Sequence, residues 1–356
     1  MEAFGVYVHI PFCTRRCDYC AFATWSDRAH LVDAYMDALV TDIERAKSRG
    51  QLPVATSVFF GGGTPSLVPA DALARVLGAI PLAADAEVTI ECNPESVTAE
   101  SMRIYRSAGV DRVSFGVQSL VGTVLESLGR DHDPTMVVDA VGHARAAGIE
   151  RINLDLIYGG AGETVDDWSR TLDGVVALAP THVSAYALTV EAGTPLADDP
   201  ARHPDDDDQA DKYLLADARL TAAGYGNYEI SNWAQPGEQC RHNLLYWRQG
   251  DYVGFGCAAH SHRAGRRWWN VRTPDRYIDL VAADAPTEAS SEQLDGDRRR
   301  IEGLQLSLRT SDGVPVGSFD DGDLDLFADL VVVDDGVVRL TAQGRLLANE
   351  VAVRIR

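Results

Sequence analysis

Residues 7–22 read Tyr7-Val-His-Ile-Pro-Phe-Cys-Thr-Arg-Arg-Cys-Asp-Tyr-Cys-Ala-Phe22, and they decide how the rest of the chain is read. A β-rich run ends in a short loop that carries Cys13, Cys17 and Cys20 in the spacing Cys-x3-Cys-x2-Cys. Three thiolates this close can hold three corners of a cubane [4Fe–4S] cluster, which is fully protein-ligated only by four. One iron is then left open, and an open coordination position marks a catalytic rather than a structural metal site. A zinc site needs a fourth ligand nearby, and the next cysteine, Cys92, is far along the chain. A disulfide framework belongs to a small secreted chain. The cluster is the expected occupant.

The chain has 356 residues, enough for one large domain and a smaller one. No apolar run reaches the length of about eighteen residues that crosses a bilayer. Phe4-Gly-Val-Tyr-Val-His-Ile10 follows the start with no basic n-region or cleavage site, so no signal peptide is expected. Six cysteines, three of them clustered, suit a reducing cytoplasm. A net charge of −21 argues against nucleic acid as a partner, because a phosphate backbone needs basic patches. Only Lys47 and Lys212 are lysines. A carboxylate-rich, lysine-poor surface fits a high-salt cytoplasm; an arginine-biased genome gives the same composition. Salt adaptation predicts a melting temperature that climbs steeply with molar KCl, and a flat response contradicts it.

The first two-thirds repeats a β-rich run, a polar or glycine-rich loop and a helical segment. Strands are expected at Phe4–Ile10, Thr56–Phe60, Glu87–Cys92, Arg112–Val117, Arg151–Ile157 and His182–Leu188. Apolar residues spaced for helices fall between them, as in Leu31–Lys47, Ala70–Ala79, Pro134–Ala147 and Val165–Leu178. Alternating strands and helices predict parallel βαβ units, here an α/β fold with an incomplete (β/α)6 barrel over residues 1–200. Residues 201–288 are expected to cover that barrel, with Gly254-Phe-Gly-Cys-Ala-Ala-His260 as a buried loop packed against it. Residues 289–356 read as a small winged-helix-like α+β domain. There a helix over Leu294–Leu308, a hairpin around Asp335-Gly336 and a last helix over Ala342–Val353 are expected. Asp198–Asp211 reads as a solvated loop and helix start, because adjacent carboxylates do not converge on one ion without an ordered loop.

In such barrels functional residues sit on loops after the strands. Gly61-Gly-Gly-Thr-Pro65 follows the second strand and exposes backbone N–H groups, but it lacks the Gly-Lys-Ser/Thr ending of a phosphate loop. Glu91-Cys-Asn-Pro94, Gly116-Val-Gln-Ser119, Gly129-Arg-Asp-His132 and Asn153-Leu-Asp155 lie at or near the same rim. A carboxylate can grip vicinal ribose hydroxyls, and an arginine can pair with a carboxylate in two-pronged fashion. Together these groups suit an amphoteric nucleoside ligand. His132 reads as a structural partner.

The cysteine spacing resembles the signature of radical S-adenosylmethionine (SAM) enzymes. In that superfamily the open iron chelates SAM, and reductive cleavage yields a 5′-deoxyadenosyl radical. Tyr7-x-His-Ile-Pro-Phe-Cys13, Gly61–Pro65, Glu91-x-Asn-Pro94, Gly116–Ser119, Arg130 and Asn153-Leu-Asp-Leu-Ile-Tyr-Gly159 are similar to the oxygen-independent coproporphyrinogen III oxidase group, nearly end to end. That resemblance implies SAM contacts at Tyr7, Tyr19, Gly62, Gly63, Thr64, Glu91, Gln118, Arg130 and Asp155. Gly160-Ala-Gly162 departs from the group's usual Leu-Pro-Gly-type turn, which bears only on local loop shape.

The group has an oxidase branch, with a fourth cysteine two residues after the third and a long N-terminal extension. Phe22 stands at that position here, and the stretch before Cys13 is short. The haem chaperone branch has Cys-x3-Cys-x2-Cys-x-Phe and a His-Asn-x-x-Tyr-Trp motif, which this chain carries as His242-Asn-Leu-Leu-Tyr-Trp247. Imidazole is a haem-iron ligand and flat aromatic faces suit a macrocycle. The resemblance therefore implies haem as cargo, with His242, Tyr246 and Trp247 as contacts and His260 and His262 as weaker candidates. Cys240 and Cys257 read as buried small residues. Delivery to an apo-haemoprotein is the implied function; oxidative decarboxylation of coproporphyrinogen III is the alternative. Trp233, Trp268 and Trp269 either line an apolar pocket or belong to the core. Which protein accepts the haem, whether it is membrane-bound, whether SAM is turned over and whether the chain forms a homodimer are left open.

Overall fold

The computed structural model describes residues 2–130, 132–320 and 322–356. Six strands pair in parallel and in chain order: β1 (Phe4–Ile10), β2 (Ala55–Gly62), β3 (Leu82–Cys92), β4 (Arg112–Gln118), β5 (Arg151–Tyr158) and β6 (His182–Ala187). Parallel neighbours need long crossovers, and helices supply them. These are α1 (Val32–Ser48), α2 (Ala70–Ala79), α3 (Ala99–Ala108), α4 (Gly122–Ser127), α5 (Pro134–Ala146) and α6 (Val165–Ala177). This is the α/β barrel expected, with strand and helix ends displaced by a few residues.

The strands alternate strictly, which decides what the barrel does. Side chains along a strand point to opposite faces. Val6, Val8 and Ile10, Val58 and Phe60, Val88 and Ile90, Val113 and Phe115, and Leu154 and Leu156 are buried in the main apolar core. The intervening positions carry Tyr7, Phe59, Thr89, Glu91, Arg112, Ser114, Asn153, Asp155, His182, Ser184 and Tyr186, which line an interior cavity of about 260 Å³. The barrel interior is thus polar and partly hollow.

The sheet extends beyond the expected strands. After α7 (Asp206–Ala222), β7 (Gly226–Glu229) and β8 (Asn232–Ala234) form an antiparallel pair, and β8 adds antiparallel to β6. Then α8 (Arg241–Trp247) leads to β9 (Asp251–Phe255), which pairs in parallel with β1. β10 (His260–Arg263), β11 (Arg266–Asn270) and, after α9 (Pro274–Ala282), β12 (Glu288–Gln293) continue that edge antiparallel. Among the described residues the sheet has twelve strands, in the order β12-β11-β10-β9-β1-β2-β3-β4-β5-β6-β8-β7. The expectation of a buried loop at Gly254–His260 is corrected: Gly254 and Phe255 end a strand, and His260 begins another. Gly254 would bring an added Cβ within 2.3 Å of the His260 carbonyl oxygen, so only glycine allows this return.

After β12, α10 (Gly296–Leu308) precedes a three-stranded antiparallel sheet of β13 (Val314–Pro315), β14 (Val331–Asp334) and β15 (Val337–Leu340). Leu308, Val314, Val331, Val338 and Val351 form a second apolar core there. Asp335 and Gly336, at φ 48° and 74°, make the two-residue hairpin turn that the Asp-Gly pair signals. The expected final helix is broken at Leu347 (φ −111°, ψ 27°) into α11 (Ala342–Leu346) and α12 (Ala348–Ala352).

The aspartate run behaves as a helix start. Asp205 accepts a hydrogen bond from the Asp208 N–H, and Asp206–Asp208 fill the first turn of α7, where the helix dipole favours negative charge. Asp208 also pairs with the fully buried Lys212 (2.6 Å), as does buried Glu163 (3.3 Å). Breaking a buried pair leaves an uncompensated charge, so Lys212→Met is expected to cost about 3 kcal/mol in urea unfolding. A loss under about 1 kcal/mol contradicts this. No described helix is long and apolar enough to cross a membrane.

Candidate functional site

The cysteine loop leaves the top of β1 and is closed at its base by Trp25. The Trp25 N–H donates to the Pro11 carbonyl (2.8 Å) and the Cys13 N–H to the Trp25 carbonyl (3.1 Å). All three cysteines are free and half-buried. Burial pushes the Cys13 and Cys20 thiols above their ordinary value, so loading a metal cluster there must release protons. The loop after β6 braces the far side. The Leu196 N–H donates to the Asp18 carbonyl (3.0 Å), and Arg202 pairs with the Asp18 carboxylate (3.0 Å). Tyr19 packs on a small apolar cluster of Val124, Leu128, Ile157, Leu188 and Leu196.

Two glycines at the end of β2 set the floor of the site. Gly63 donates its N–H to the Ile10 carbonyl (2.8 Å), and Thr64 donates its N–H to that of Phe12 (2.8 Å). A Cβ on Gly63 would lie 2.7 Å from the Phe12 carbonyl oxygen and 3.0 Å from Cys13 Sγ. Gly62 has φ +116°, and a Cβ there would lie 2.5 Å from the His9 ring. The Gly62 N–H donates to Glu91 Oε2 (3.1 Å), and Thr64 Oγ1 lies 3.7 Å from Cys13 Sγ. His9 donates from Nε2 to the Ala23 carbonyl (2.9 Å), which leaves Nδ1 to accept from the Tyr7 hydroxyl (3.0 Å). Burial holds the His9 ring neutral, its pKa down at about 4.

Opposite stand Glu91, Asp155 and Arg130. Asp155 accepts from Ser114 Oγ (2.6 Å) and from Asn153 Nδ2 (2.9 Å). Arg130 donates from Nη2 to Asn93 Oδ1 (2.8 Å) and to the Gly116 carbonyl (3.0 Å), and its Nη1 lies 3.7 Å from Cys17 Sγ. Its buried Nε has no hydrogen-bond partner among the described residues. Gln118 sits at φ +62°, which turns it out of the strand at this rim. Asn93 and Ser114 were not singled out from the sequence. Asn93 lay inside a quoted motif, and it joins Arg130 to Thr64 through Nδ2 (3.2 Å). His132 donates from Nε2 to the Val117 carbonyl (3.0 Å), a bond to the backbone of β4.

Burial, then the nearby Asp155 carboxylate, pushes the Glu91 carboxyl up to about 8. A carboxyl that is protonated in the fold and ionised in the open chain lowers stability as pH rises through that interval. Stability of the ligand-free chain is therefore expected to fall between about pH 5 and pH 8, and Glu91→Gln to flatten the slope. Equal slopes in both proteins contradict the assignment.

His242 lies elsewhere. α8 packs under the N-terminal ends of β1 and β2: a Cβ on Gly5 would touch Leu245 Cδ1 at 2.8 Å and His242 Cε1 at 3.1 Å. His242 is 1 % exposed, with Nδ1 2.9 Å from Ser57 Oγ and Nε2 2.8 Å from the Tyr246 hydroxyl. Its backbone N–H donates to buried Glu87 (3.0 Å), and burial lowers its pKa to about 4. The motif closes the barrel bottom, and neither ring nitrogen of His242 is free. Trp247 is half-buried, and its indole N–H has no partner among the described residues. Cys240 and Cys257 are buried, their thiols raised to about 12 by burial. Trp233 is core, Trp268 lies under the Arg266 guanidinium, and His262 bonds through Nδ1 to the Gly250 carbonyl (2.9 Å).

Above Glu91 the site opens into a second cavity of about 720 Å³, lined among others by Tyr7, Gly62, Phe22, Tyr246, His260 and Trp269. This is the size of a small-molecule site.

A cysteine loop on strand one, a glycine floor and a polar rim on a parallel barrel define a radical SAM protein, and the Radical SAM superfamily model matches residues 7–175. The chain is 42% identical to the haem chaperone HemW of Mycobacterium tuberculosis, over 98% of this chain and 94% of the relative. It is 33% identical to the HemW of Bacillus subtilis, over 98% and 97%. The solved structure of coproporphyrinogen III oxidase (HemN) from Escherichia coli, a radical SAM enzyme, superposes with a TM-score of 0.86 at 25% identity, covering 99% of this chain and 89% of that one. The chain belongs to the HemW family.

That family implies a [4Fe–4S] cluster and SAM, and the geometry accommodates both. Gly62 and Gly63 bring the backbone against the His9 ring and the Cys13 loop closer than any side chain allows, and the buried Arg130 Nε has no hydrogen-bond partner among the described residues. Among the described residues no three His, Cys, Asp or Glu side chains converge as on a single ion. The cluster assignment therefore rests on the loop and on family membership.

Proposed function

We propose that this chain is a cytoplasmic haem carrier built on a radical SAM barrel. In this reading Cys13, Cys17 and Cys20 hold one [4Fe–4S] cluster with an open iron for SAM. Gly62, Gly63 and Thr64 meet the amino group of SAM. Arg130 and Gln118 meet its carboxylate, Glu91 and Asp155 its ribose, and Tyr7 and Tyr19 complete the wall. When bound, the pair supplies reductive cleavage of SAM; the chain's own groups orient the ligand and hold Tyr7 through the neutral His9. Haem is carried at the open mouth and handed to an apo-haemoprotein.

The observation that carries the reading is Phe22. It is 67 % exposed and lines the larger cavity beside Tyr246 and Trp269. It offers an apolar face to a macrocycle at the position where the oxidase branch has its fourth cysteine. The relatives named haem chaperones support the same reading. The test is transfer: the chain loaded with ⁵⁷Fe-haem is mixed with an apo-haemoprotein, and the label is followed by Mössbauer spectroscopy after separation. Label moving faster than free haem exchanges supports a carrier; label staying with the chain contradicts it. The likeness to HemN favours the second reading, SAM-dependent decarboxylation of coproporphyrinogen III.

A further inference from the structure

The haem carrier reading leaves the iron ligand unassigned, because His242 has both ring nitrogens engaged at the barrel bottom. Of the nine histidines in the sequence, His9 and His260 line the larger cavity. His9 has both nitrogens engaged by Tyr7 and Ala23. His260 is exposed at the start of β10, and its ring has no hydrogen-bond partner among the described residues. Its plane is nonetheless fixed, because it stacks on Trp269 with centroids 5.6 Å apart and planes 24° apart. The register explains this: His260 and Trp269 are direct partners across β10 and β11.

Two further features of the same wall match a tetrapyrrole. Phe22, Tyr252, Ala258, Trp269 and Ala289 give it broad apolar surface. Arg272, at its edge, is exposed and makes no ion pair among the described residues, in a chain of net charge −21. An unpaired guanidinium beside an apolar wall is suited to a ligand with an apolar body and a carboxylate rim.

We propose that haem binds on this β9–β12 wall, with the His260 imidazole as an axial ligand of its iron and the Arg272 guanidinium on a propionate. The inference rests on the haem carrier reading. It places the cargo beside the cysteine loop and the Gly62 floor, so that haem and SAM share one cavity, and it gives the β10–β11 hairpin a role. A neutral imidazole is the ligating form, and burial lowers the pKa of His260 in that direction.

The test is an anaerobic haem titration of the cluster-reconstituted full chain, read by the Soret band and by resonance Raman spectroscopy of the iron ligands. His260→Gln is expected to lose the histidine–iron signature, move the Soret band and weaken binding about tenfold or more. Arg272→Gln is expected to keep the band position and weaken binding about threefold to tenfold. Matching circular dichroism and iron content show that each variant is folded. Should His260→Gln fail that check, exposed Arg272 and the wild-type Raman spectrum carry the test: a non-histidine ligand or an unchanged affinity in Arg272→Gln overturns it. An unchanged Soret band and affinity in folded His260→Gln also refute this site while leaving the carrier reading intact. Failure of the wild-type chain to bind haem refutes both.

Discussion

Cys17→Ala is expected to abolish the charge-transfer absorbance of the reconstituted cluster and, with it, specific binding of SAM. The loop offers one sulfur to each of three iron corners, and Cys17 sits between Cys13 and Cys20 in sequence with Arg130 Nη1 3.7 Å from its sulfur. A cluster held by two thiolates loses a corner iron, and the open iron that anchors SAM goes with it. The fold should survive, since the loop's base is held by backbone bonds to Trp25 and its far side by Asp18 and Arg202. Circular dichroism and urea unfolding of the cluster-free chain should therefore match the wild type. An unchanged visible spectrum and iron content in the variant removes Cys17 from the ligand set.

Gly63→Ala is expected to be nearly as damaging for a different reason. The added methyl meets two carbonyl oxygens, of Phe12 at 2.7 Å and Ile10 at 3.0 Å, and Cys13 Sγ at 3.0 Å. Backbone atoms cannot swing aside as a flexible side chain can. Overpacking of this kind costs about 2 kcal/mol, and relieving it must push the cysteine loop off the strand end. Iron content is expected to fall by about half or more alongside stability. Gly78→Ala is the control: it lies in α2 with nothing within 4 Å of an added Cβ, and is expected to stabilise by about 0.5–1 kcal/mol. If both alanine variants behave alike, the close approach at Gly63 is not what requires glycine there.

The barrel was legible because its signals are local. β1 matches its expected span, Phe4–Ile10, and the Asp335-Gly336 turn falls where the dipeptide places it. Glu91 and Asp155 were read together because both lie near the ends of expected strands, and the structure lines one interior cavity with both. The extension of the sheet was not legible. β9 pairs with β1 across most of the chain, and no local pattern announces a partner that distant. The β10–β11 turn uses Ala264 at φ 51° and Gly265 at φ 86°, without the asparagine or aspartate that usually marks it. His242 shows the limit most clearly. A His-Asn-x-x-Tyr-Trp run reads the same whether its imidazole faces a ligand or a serine hydroxyl beneath a barrel. Only the position of Ser57 and Tyr246 around the ring separates the two. His260 ranked only as a weaker candidate because a histidine beside glycines and alanines carries no distinguishing pattern of its own; its stacking on Trp269 depends on strand register.

The cavity above Glu91 is expected to take haem as cargo and not to convert a porphyrinogen. One anaerobic preparation tests it: the reconstituted chain with SAM and a reductant is divided between haem and coproporphyrinogen III. The expected result is one haem bound per chain by Soret titration, and no protoporphyrinogen IX by mass spectrometry. Protoporphyrinogen IX formed by a chain that binds no haem would contradict the carrier reading and place this protein with the decarboxylating enzymes.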